Sequence, residues 1–236
     1  MKLEIENLAV GYARGSRVLD GLSLDVGPGE VVALLGRNGM GKSTLLRTIT
    51  GHLKPSAGDI RLDGRPVGSA PPYRIARAGV GYVPQGRDIF GEFTVEENLK
   101  IGVLGKPRLA NAIPDWAFEL FPILRERRRQ RAGTLSGGQQ QQLAIMRALV
   151  GTPQLLLLDE PSEGIQPSIV HDIGATLKRY AAERGLSLLL VEQNLDLVTL
   201  LATRVLFIEN GRIVASVGDV ERVRTDEALV HRYLSV

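Results

Sequence analysis

The sequence predicts an α/β fold from three largely apolar runs and the helical patterns between them. The apolar runs lie at 31–35, 155–158 and 186–191, and each is followed by a polar or glycine-containing turn. Runs of this kind are typical of central strands in a parallel sheet that is covered on both faces. Helical patterns follow Lys42, Gln139, Pro167 and Asn194. Strand and helix therefore alternate, as they do in α/β domains.

Shorter segments predict the other strands. The candidates lie at 3–10, 60–62, 80–83 and 205–208. An Asn-Gly turn in the run NGR at 210–212 separates 205–209 from 213–216, which predicts a β-hairpin.

Between 94 and 150 the strand signal disappears and helical patterns replace it. Thr94 and Glu97 have the spacing of a capping box, and 116–129 and 138–149 have helical patterns. We interpret this part of the chain as a helical lobe inserted into the α/β core. The run RERRRQR at 125–131 is either a solvated helix face, the more frequent meaning of a charge run, or a surface for an anionic partner.

Composition excludes several classes of protein. The chain has 236 residues, 44% of them hydrophobic, and can form one large domain or a core domain with an inserted lobe. Its apolar runs fall far short of the roughly 20 residues that cross a bilayer, and its first ten residues have a strand pattern without a signal-peptide core. We therefore expect a cytoplasmic protein. The absence of cysteine excludes disulfides and thiolate metal sites, and the dispersed basic residues give no nucleic-acid signature.

The run GRNGMGKST at 36–44 indicates a phosphate site. Gly36, Gly41, Lys42 and Ser43 match the pattern G-x-x-x-x-G-K-S, with a strand before it and a helical run after it. The glycines let backbone N–H groups turn toward an anion, and the helix adds its positive N-terminal end. We expect Lys42 to reach the terminal phosphates of a nucleotide and Ser43 to ligate Mg²⁺. A plain glycine-rich turn would leave Lys42 and its context unexplained.

Two more motifs point to nucleotide chemistry. Asp159 and Glu160 follow an apolar strand, at the end where open parallel sheets bind ligands. Asp159 is suited to hold Mg²⁺ through water and Glu160 to polarise an attacking water, whereas a helix cap is the plainer interpretation of the pair. The run LSGGQ at 135–139 precedes an amphipathic helix and forms a second anion-binding element. The two elements either fold together, or the second acts on a partner molecule.

These motifs resemble those of the nucleotide-binding subunits of ABC transporters over nearly the whole chain. GRNGMGKST resembles the Walker A motif, LLLLDE resembles Walker B, and LSGGQ resembles the signature motif. The resemblance implies one nucleotide-binding domain over 1–236, with a P-loop NTPase (RecA-like) core, an N-terminal antiparallel β subdomain and an inserted α-helical subdomain. The core would comprise 1–86 and 151–236, and the helical subdomain about 87–150. It also implies that the protein hydrolyses ATP with Mg²⁺.

The same resemblance implies roles for individual residues. The catalytic positions are Glu160, Gln193 and Lys42, and the Mg²⁺ positions are Ser43, Gln85 and Asp159. Gln85 occupies the Q-loop position, Tyr12 the position that stacks on adenine, and 161–167 the D-loop. The implied nucleotide-binding residues are Tyr12, Gly36, Arg37, Asn38, Gly39, Met40, Gly41, Lys42, Ser43, Thr44, Gln85, Ser136, Gly137, Gly138, Gln139 and Asp159.

The resemblance further implies partners and a location. Two ATP-binding subunits would pair head to tail, so that Ser136 and Gly138 contact the ATP held by the other chain. The other chain would be a sister subunit or a second copy. Two transmembrane permease subunits would contact 87–95, and a periplasmic or extracellular solute-binding protein would act indirectly. The subunit would lie on the cytoplasmic face of the membrane, with no nucleic-acid partner.

Two narrower groups share features with the chain. YVPQGRDIF, TVEENL, ELFPIL and LLVEQN are similar to the second ATPase of branched-chain amino-acid importers. LSGGQQQQLAI and DEPSEGIQPSIV are more similar to the subunit of urea or short-amide importers. We therefore expect an ATPase that energises uptake of urea or short amides, with branched-chain amino acids as the alternative.

Two positions depart from the family pattern. Gln193 stands where most members have a histidine, and Gln166 where most have an aspartate. A glutamine amide can donate to a phosphate oxygen and accept from water, but it cannot become a cation near neutral pH. We therefore expect activity without a histidine-type protonation step. Asn194 is a candidate helix cap, and the role of Glu192 stays open.

Two other classes of function deserve comparison. A soluble ABC ATPase that acts on ribosomes or DNA would usually carry two ATPase units, coiled-coil insertions or zinc-binding insertions, and none has a signal here. A regulatory nucleotide-binding module without turnover is disfavoured, because Lys42, Ser43 and Glu160 are all present.

Overall fold

The computed structural model describes residues 1–12, 16–104 and 113–234, which form two β-sheets and the helices around them. The strands are β1 (Leu3–Val10), β2 (Leu19–Val26), β3 (Val31–Leu35), β4 (Ala57–Leu62), β5 (Arg65–Pro66), β6 (Val80–Val83), β7 (Leu155–Asp159), β8 (Ser187–Val191), β9 (Arg204–Glu209) and β10 (Arg212–Val217). The helices are α1 (Lys42–Ile49), α2 (Pro72–Arg77), α3 (Val95–Val103), α4 (Trp116–Leu120), α5 (Pro122–Glu126), α6 (Gly137–Leu149), α7 (Pro167–Arg184), α8 (Leu195–Leu201), α9 (Glu221–Thr225) and α10 (Glu227–Leu234).

A six-stranded mixed sheet forms the centre of the fold. Its order is β10-β9-β3-β8-β7-β6, and every neighbouring pair is parallel except β9 with β10. The three apolar runs of the sequence become β3, β7 and β8, the inner strands that the apolar pattern predicts. Because parallel neighbours end on the same side, the loops after β3, β7 and β8 lie together at one edge of the sheet.

The two faces of this sheet bury different sets of side chains. Leu156 and Leu158 join one hydrophobic cluster with residues of α3 through α8, whereas Leu155 and Leu157 join another with α1. This division follows the two-residue period of a strand. The second cluster also contains the antiparallel sheet, whose order is β2-β1-β4-β5. Strands β3, β7 and β8 are buried along their whole length and are almost entirely apolar, because both faces of the sheet are covered there.

The capping box before α3 is confirmed. The Thr94 hydroxyl accepts a hydrogen bond from the Glu97 N–H at 3.2 Å, and the Glu97 carboxylate accepts from the Thr94 N–H at 2.7 Å. These bonds satisfy N–H groups that have no partner within the helix. Helix α3 therefore begins where the sequence predicts. The predicted hairpin is also confirmed, with Asn210 and Gly211 between β9 and β10.

The single helix predicted over 116–129 is wrong. The chain forms α4 and α5 instead, separated at Phe121, whose φ of −132° is not helical. Pro122 follows, and proline disfavours the helical conformation of the residue before it. The charge run consequently is not a helix face, because α5 ends at Glu126.

Two arginines of the charge run bind near the start of α3. Arg128 makes two hydrogen bonds to the Glu96 carboxylate, at 2.8 and 2.9 Å, and Arg131 lies 3.3 Å from Glu92. The planar guanidinium of Arg128 suits this paired contact with a carboxylate. The paired contact favours a structural role for Arg128, whereas Arg131 and Glu92 form a largely exposed surface ion pair.

Several elements have no counterpart in the sequence prediction. They are β2, β5, α2, α9 and α10. Strand β2 has the alternating burial of a half-exposed strand, but Gly21, with a φ of +72°, interrupts its sequence pattern. Within the described ranges, no helix is both long and apolar enough to span a bilayer.

Candidate functional site

The glycine loop between β3 and α1 forms the floor of the site. Gly41 has a φ of +101°, and a Cβ atom there would lie 2.6 Å from Cδ2 of Leu19. A Cβ atom at Gly36 would lie 2.6 Å from the backbone oxygen of Ile208 in β9. Only glycine fits these two positions without displacing its neighbours. The loop therefore turns tightly into α1, whose first N–H groups have no partner within the helix and can receive an anion.

Lys42 is buried at the start of α1, and its ammonium faces its own loop. The Nζ atom donates to the backbone oxygens of Gly36 at 2.6 Å and Arg37 at 3.0 Å, and lies 3.6 Å from Oε1 of Glu160. Burial lowers the pKa of the Lys42 ammonium, against the opposing effect of the Glu160 carboxylate. A polyanion would add charge that favours the protonated lysine.

Ser43 and Asp159 present two oxygen atoms to one another across the loop. The Ser43 hydroxyl donates to Oδ1 of Asp159 at 3.3 Å, and Asp159 is only 2% exposed. Burial raises the pKa of the Asp159 carboxyl to about 6. A hydroxyl and a carboxylate suit Mg²⁺, which binds one or two protein oxygens together with phosphates and water. Among the residues described, no group of three or more His, Asp or Glu side chains is arranged to hold a metal ion without such help.

Glu160 lies directly after β7 in a left-handed backbone conformation, with a φ of +46°. Its N–H donates to the backbone oxygen of Val191 at 2.8 Å, which fixes the turn against the end of β8. Backbone strain of this kind at a residue other than glycine is frequent at functional sites. The turn directs the carboxylate toward Lys42.

Two glutamine amides hold the Glu160 carboxylate. Gln193 donates Nε2 to Oε1 of Glu160 at 3.0 Å and to Oδ1 of Asn38 at 2.7 Å. Gln85 donates Nε2 to Oε2 of Glu160 at 3.3 Å and to Oε2 of Glu163 at 3.0 Å. Gln193 therefore joins the strand ends of β7 and β8 to the glycine loop. Both amides are neutral, so neither could take over the positive charge that Lys42 places near the Glu160 carboxylate.

Tyr12 lies at the rim of this loop and is 58% exposed. Its hydroxyl and the Thr44 hydroxyl are 3.1 Å apart, within hydrogen-bonding distance. The tyrosine borders a cleft of about 440 Å³, a size suited to a small-molecule ligand. The cleft is lined by Tyr12, Val18, Asn38, Gly39, Gly41, Lys42, Ser43, Thr44, Gln85 and Glu160.

Some sequence-predicted site residues lie outside this cleft. Arg37 and Met40 line a separate cavity of about 160 Å³. The backbone oxygen of Arg37 accepts a hydrogen bond from Lys42 at 3.0 Å. Ser136, Gly137, Gly138 and Gln139 are not among the residues that line the cleft. The Ser136 hydroxyl instead caps α6 and accepts from the Gln139 N–H at 3.4 Å. The two candidate anion-binding elements therefore do not form one cleft within the described chain.

Arg87 is a residue of this region that sequence reasoning missed. Its guanidinium donates to Oε1 of Gln140 at 3.2 Å and to the backbone oxygen of Glu163 at 3.3 Å. A Cβ atom at Gly137 would lie 3.2 Å from the same guanidinium. Arg87 thus links the segment after β6 with the start of α6 and with the turn after β7. No local sequence signal distinguishes it from a surface arginine.

Together these features define a P-loop nucleoside triphosphatase: a glycine loop between strand and helix, a buried lysine, and a serine–aspartate pair suited to Mg²⁺. Residues 19–163 match the sequence profile described as ABC transporter. The chain belongs to the ABC transporter family.

Relatives match the chain over most of its length. The high-affinity branched-chain amino acid transport ATP-binding protein BraG of Pseudomonas aeruginosa is 45% identical, over 90% of this chain and 91% of that protein. A probable branched-chain amino acid transport ATP-binding protein LivF of Archaeoglobus fulgidus is 35% identical, over 89% of each chain. The solved structure of MJ1267, an ATP-binding cassette of an ABC transporter, has a TM-score of 0.82 at 31% identity and covers 97% of both chains.

The family and the fold fix the general activity. The chain has the ABC ATPase fold, with an antiparallel β-sheet beside a mixed sheet and helices, and it is an ATPase. A structure of MJ1267 in its ADP conformation matches with a TM-score of 0.81 at 31% identity, covering 98% of both chains. Membrane permease partners and pairing of ATP-binding subunits are general features of such transporters.

Proposed function

We propose that this chain is the ATP-hydrolysing subunit of an importer of branched-chain amino acids. The observation that carries the solute assignment is the 45% identity with BraG over 90% of the chain. None of the relatives described above is named for urea or short amides. The expected urea or amide specificity therefore rests only on residues 161–170 (PSEGIQPSIV) and on LSGGQQQQLAI, and we keep it as the second candidate.

The proposed hydrolysis is built on the geometry around Glu160. Its carboxylate, held by Gln85 and Gln193 beside Lys42, would polarise the attacking water. Lys42 would exchange its loop oxygens for the terminal phosphates of ATP. Ser43 and Asp159 would hold Mg²⁺, which neutralises phosphate charge when it is bound. Positioning and charge neutralisation supply most of the rate in phosphoryl transfer.

Adenine recognition and pairing complete the proposal. The exposed ring of Tyr12 would stack on adenine. Because the run at 135–139 lies outside the cleft of its own chain, we propose that it closes over the ATP of a paired subunit, either a sister chain or a second copy. The γ-phosphate would then hold the pair together until hydrolysis.

The permease contact and the domain division are also proposals. Phe90 and Phe93 are exposed, stack with ring centroids 5.5 Å apart, and lie in the segment 87–95 expected to meet the permeases. We propose that this segment transmits closure from a helical subdomain at about 87–150 to the two membrane subunits. The core would comprise 1–86 and 151–236. The protein would lie peripherally on the cytoplasmic face of the membrane, and a solute-binding protein would act through the permeases.

The test of hydrolysis is Glu160→Gln in the purified protein. The amide keeps an oxygen that can accept from Gln193 but cannot act as a base, so we expect ATP turnover to fall by roughly a hundredfold or more while ATP binding persists. ATP should then accumulate a paired species detectable by size-exclusion chromatography. Glu183→Gln, an exposed glutamate on α7, should leave turnover unchanged. Full turnover in Glu160→Gln would reject the assignment.

The test of the solute uses uptake in a strain that lacks the gene. Complementation with the wild-type gene should restore accumulation of radiolabelled leucine, and complementation with the Glu160→Gln gene should not. Restored uptake of labelled urea without leucine would favour the second candidate. Unimpaired uptake of both solutes in the deletion strain would contradict both candidates.

A further inference from the structure

Glu192 is a buried carboxylate at the end of β8 for which the proposed chemistry has no role. It is 2% exposed, although glutamate is seldom buried without partners. Within the part of the chain that the structure describes, its side chain accepts hydrogen bonds from backbone N–H groups. Oε1 accepts from Ser162 at 2.9 Å, and Oε2 accepts from Gln193 at 2.6 Å and from Asn194 at 2.9 Å.

These three N–H groups belong to two separate segments of the site. Ser162 lies two residues after Glu160, in the turn that follows β7. Gln193 and Asn194 follow β8, and Asn194 also caps α8 by accepting from the Leu197 N–H at 3.0 Å. One carboxylate therefore joins the turn that carries Glu160 to the segment that carries Gln193. Hydrogen bonds to a charged acceptor are stronger than those between neutral groups.

We propose that Glu192 is a positioning residue for ATP hydrolysis, which sets Gln193 against Glu160 by holding both segments. This inference rests on the proposed role of Glu160 in activating water. Glu192 is not among the residues that line the cleft, and its hydrogen bonds go to the backbone of its neighbours, while its charge also favours the protonated form of Lys42. Displacements of about 1 Å can lower a reaction rate roughly a hundredfold. The hydrogen bonds of Glu192 to the two segments, called the Glu192 clamp below, therefore matter to an enzyme that depends on precise positioning of its groups.

The Glu192 clamp needs two acceptor oxygens at the end of a side chain as long as that of glutamate. A glutamine has one acceptor oxygen, so its NH₂ group would face either the Ser162 N–H or the N–H groups of Gln193 and Asn194. One segment would then be released while the size of the side chain stays the same. An aspartate keeps both oxygens but is shorter by one methylene group, so it cannot reach both segments in their present positions.

Ser187 provides a matched control at the opposite end of β8. It is also buried. Its hydroxyl lies within hydrogen-bonding distance of the backbone oxygens of Met1 (2.8 Å) and Gly27 (3.1 Å), which share its one hydrogen, and it accepts from the Gly29 N–H at 2.9 Å. It therefore ties backbone segments together as Glu192 does, but away from Glu160 and Gln193. Ser187→Ala therefore measures how much stability is lost when buried hydrogen bonds of this kind are removed away from Glu160 and Gln193.

The experiment measures kcat and KM for ATP in Glu192→Gln, Gln193→Ala and the double variant, normalised to the folded fraction. We expect Glu192→Gln to lower kcat by about tenfold to a hundredfold with little change in KM. If Glu192 acts through Gln193, its substitution should have little further effect in the Gln193→Ala background. Ser187→Ala should lower the Tm and keep kcat. Glu192→Asp provides the same comparison if Glu192→Gln does not fold.

The outcomes are distinct for the two proposals. Wild-type kcat in folded Glu192→Gln, or losses that multiply in the double variant, would overturn the positioning role. A wild-type protein with no ATP turnover would instead contradict the proposed function. Loss of kcat in Ser187→Ala as large as in Glu192→Gln would reduce Glu192 to a general contributor to folding, and would also overturn the inference.

Discussion

Gln193 donates a 3.0 Å hydrogen bond from its amide nitrogen to the carboxylate of Glu160. The same nitrogen also donates to Oδ1 of Asn38 in the glycine loop. One uncharged side chain therefore joins the Glu160 carboxylate to the glycine loop. An imidazole at this position would change its charge near pH 6.5, whereas an amide stays neutral. The Glu160 carboxylate is therefore oriented here without a titrating partner at position 193.

Replacement of Gln193 with alanine should lower ATP turnover with little loss of stability. The side chain is exposed, so its removal creates no cavity, but Glu160 loses one of the two amides that orient it. We expect kcat to fall by roughly tenfold or more, measured by phosphate release, with an unchanged Tm. Gln130→Ala, a glutamine outside the cleft, should retain full turnover. Unchanged turnover in Gln193→Ala would mean that the polar end of β8 merely reaches water.

Tyr12→Ala should weaken ATP binding, and Tyr12→Phe should not. The ring is exposed and free to stack, and loss of one base–aromatic contact costs about 1–3 kcal/mol, or at least about fivefold in Kd. Titration calorimetry with a non-hydrolysable ATP analogue measures the difference. Tyr73→Ala is the matched control, because Tyr73 is 56% exposed on α2 and does not line the cleft. Equal affinities for Tyr12→Ala and the wild type would exclude stacking.

Asp159→Asn should stabilise the protein near pH 7.5 in the absence of nucleotide and metal. The folded pKa of about 6 lies above the ordinary value of 3.8, so the folded state binds the proton more tightly than the unfolded chain. The free energy of unfolding therefore falls as pH rises from about 4 to about 6 and remains lower above that range. Asparagine removes this dependence.

The expected gain for Asp159→Asn is on the order of 3 kcal/mol at pH 7.5, and it should fall below about 1 kcal/mol near pH 4. Urea denaturation at the two pH values measures it. Asp172→Asn, an exposed residue on α7, should show no such gain. A destabilised Asp159→Asn at pH 7.5 would contradict the burial argument.

Gly102→Ala should destabilise the packing of α3 on α6. A Cβ atom there would lie 2.1 Å from the backbone oxygen of Arg147 and 2.6 Å from Cγ2 of Val150. Overpacking of this kind costs about 1–3 kcal/mol, which lowers the denaturant midpoint. Gly218→Ala is the control, because no atom lies within 4 Å of a Cβ at that position. Equal midpoints for the two variants would show that α3 can shift without cost.

The sequence predicts the central sheet and the glycine loop well, because both depend on local signals. Strands buried on both faces need apolar residues throughout, and the loop needs glycine, lysine and serine at fixed spacing. The helix predicted over 116–129 is wrong because the proline at 122 outweighs the helical pattern around it. The capping box at Thr94 is predicted correctly because it depends on two residues only three positions apart.

The contacts among side chains at the site are harder to predict. Glu192 reaches Ser162 across 30 positions of sequence, and Arg87 reaches Glu163 across 76. No local pattern gives these distances, because they depend on which strands lie side by side in the sheet. The polar end of β8 is visible in the sequence as a change from apolar to polar residues. The separate roles of Glu192, Gln193 and Asn194 become visible only from their hydrogen-bond partners in the structure.

The carbonyl oxygens of the glycine loop compete with an incoming anion for the buried ammonium of Lys42. Two carbonyl oxygens of the loop already accept from Nζ, so an incoming anion gains only by offering better acceptors than these neutral dipoles. A terminal phosphate offers several charged oxygens, whereas a chloride ion offers one diffuse charge and no directed lone pairs. Exchange of these carbonyl oxygens for the terminal phosphate of ATP, which the proposed function requires, therefore depends on the charged oxygens of the phosphate.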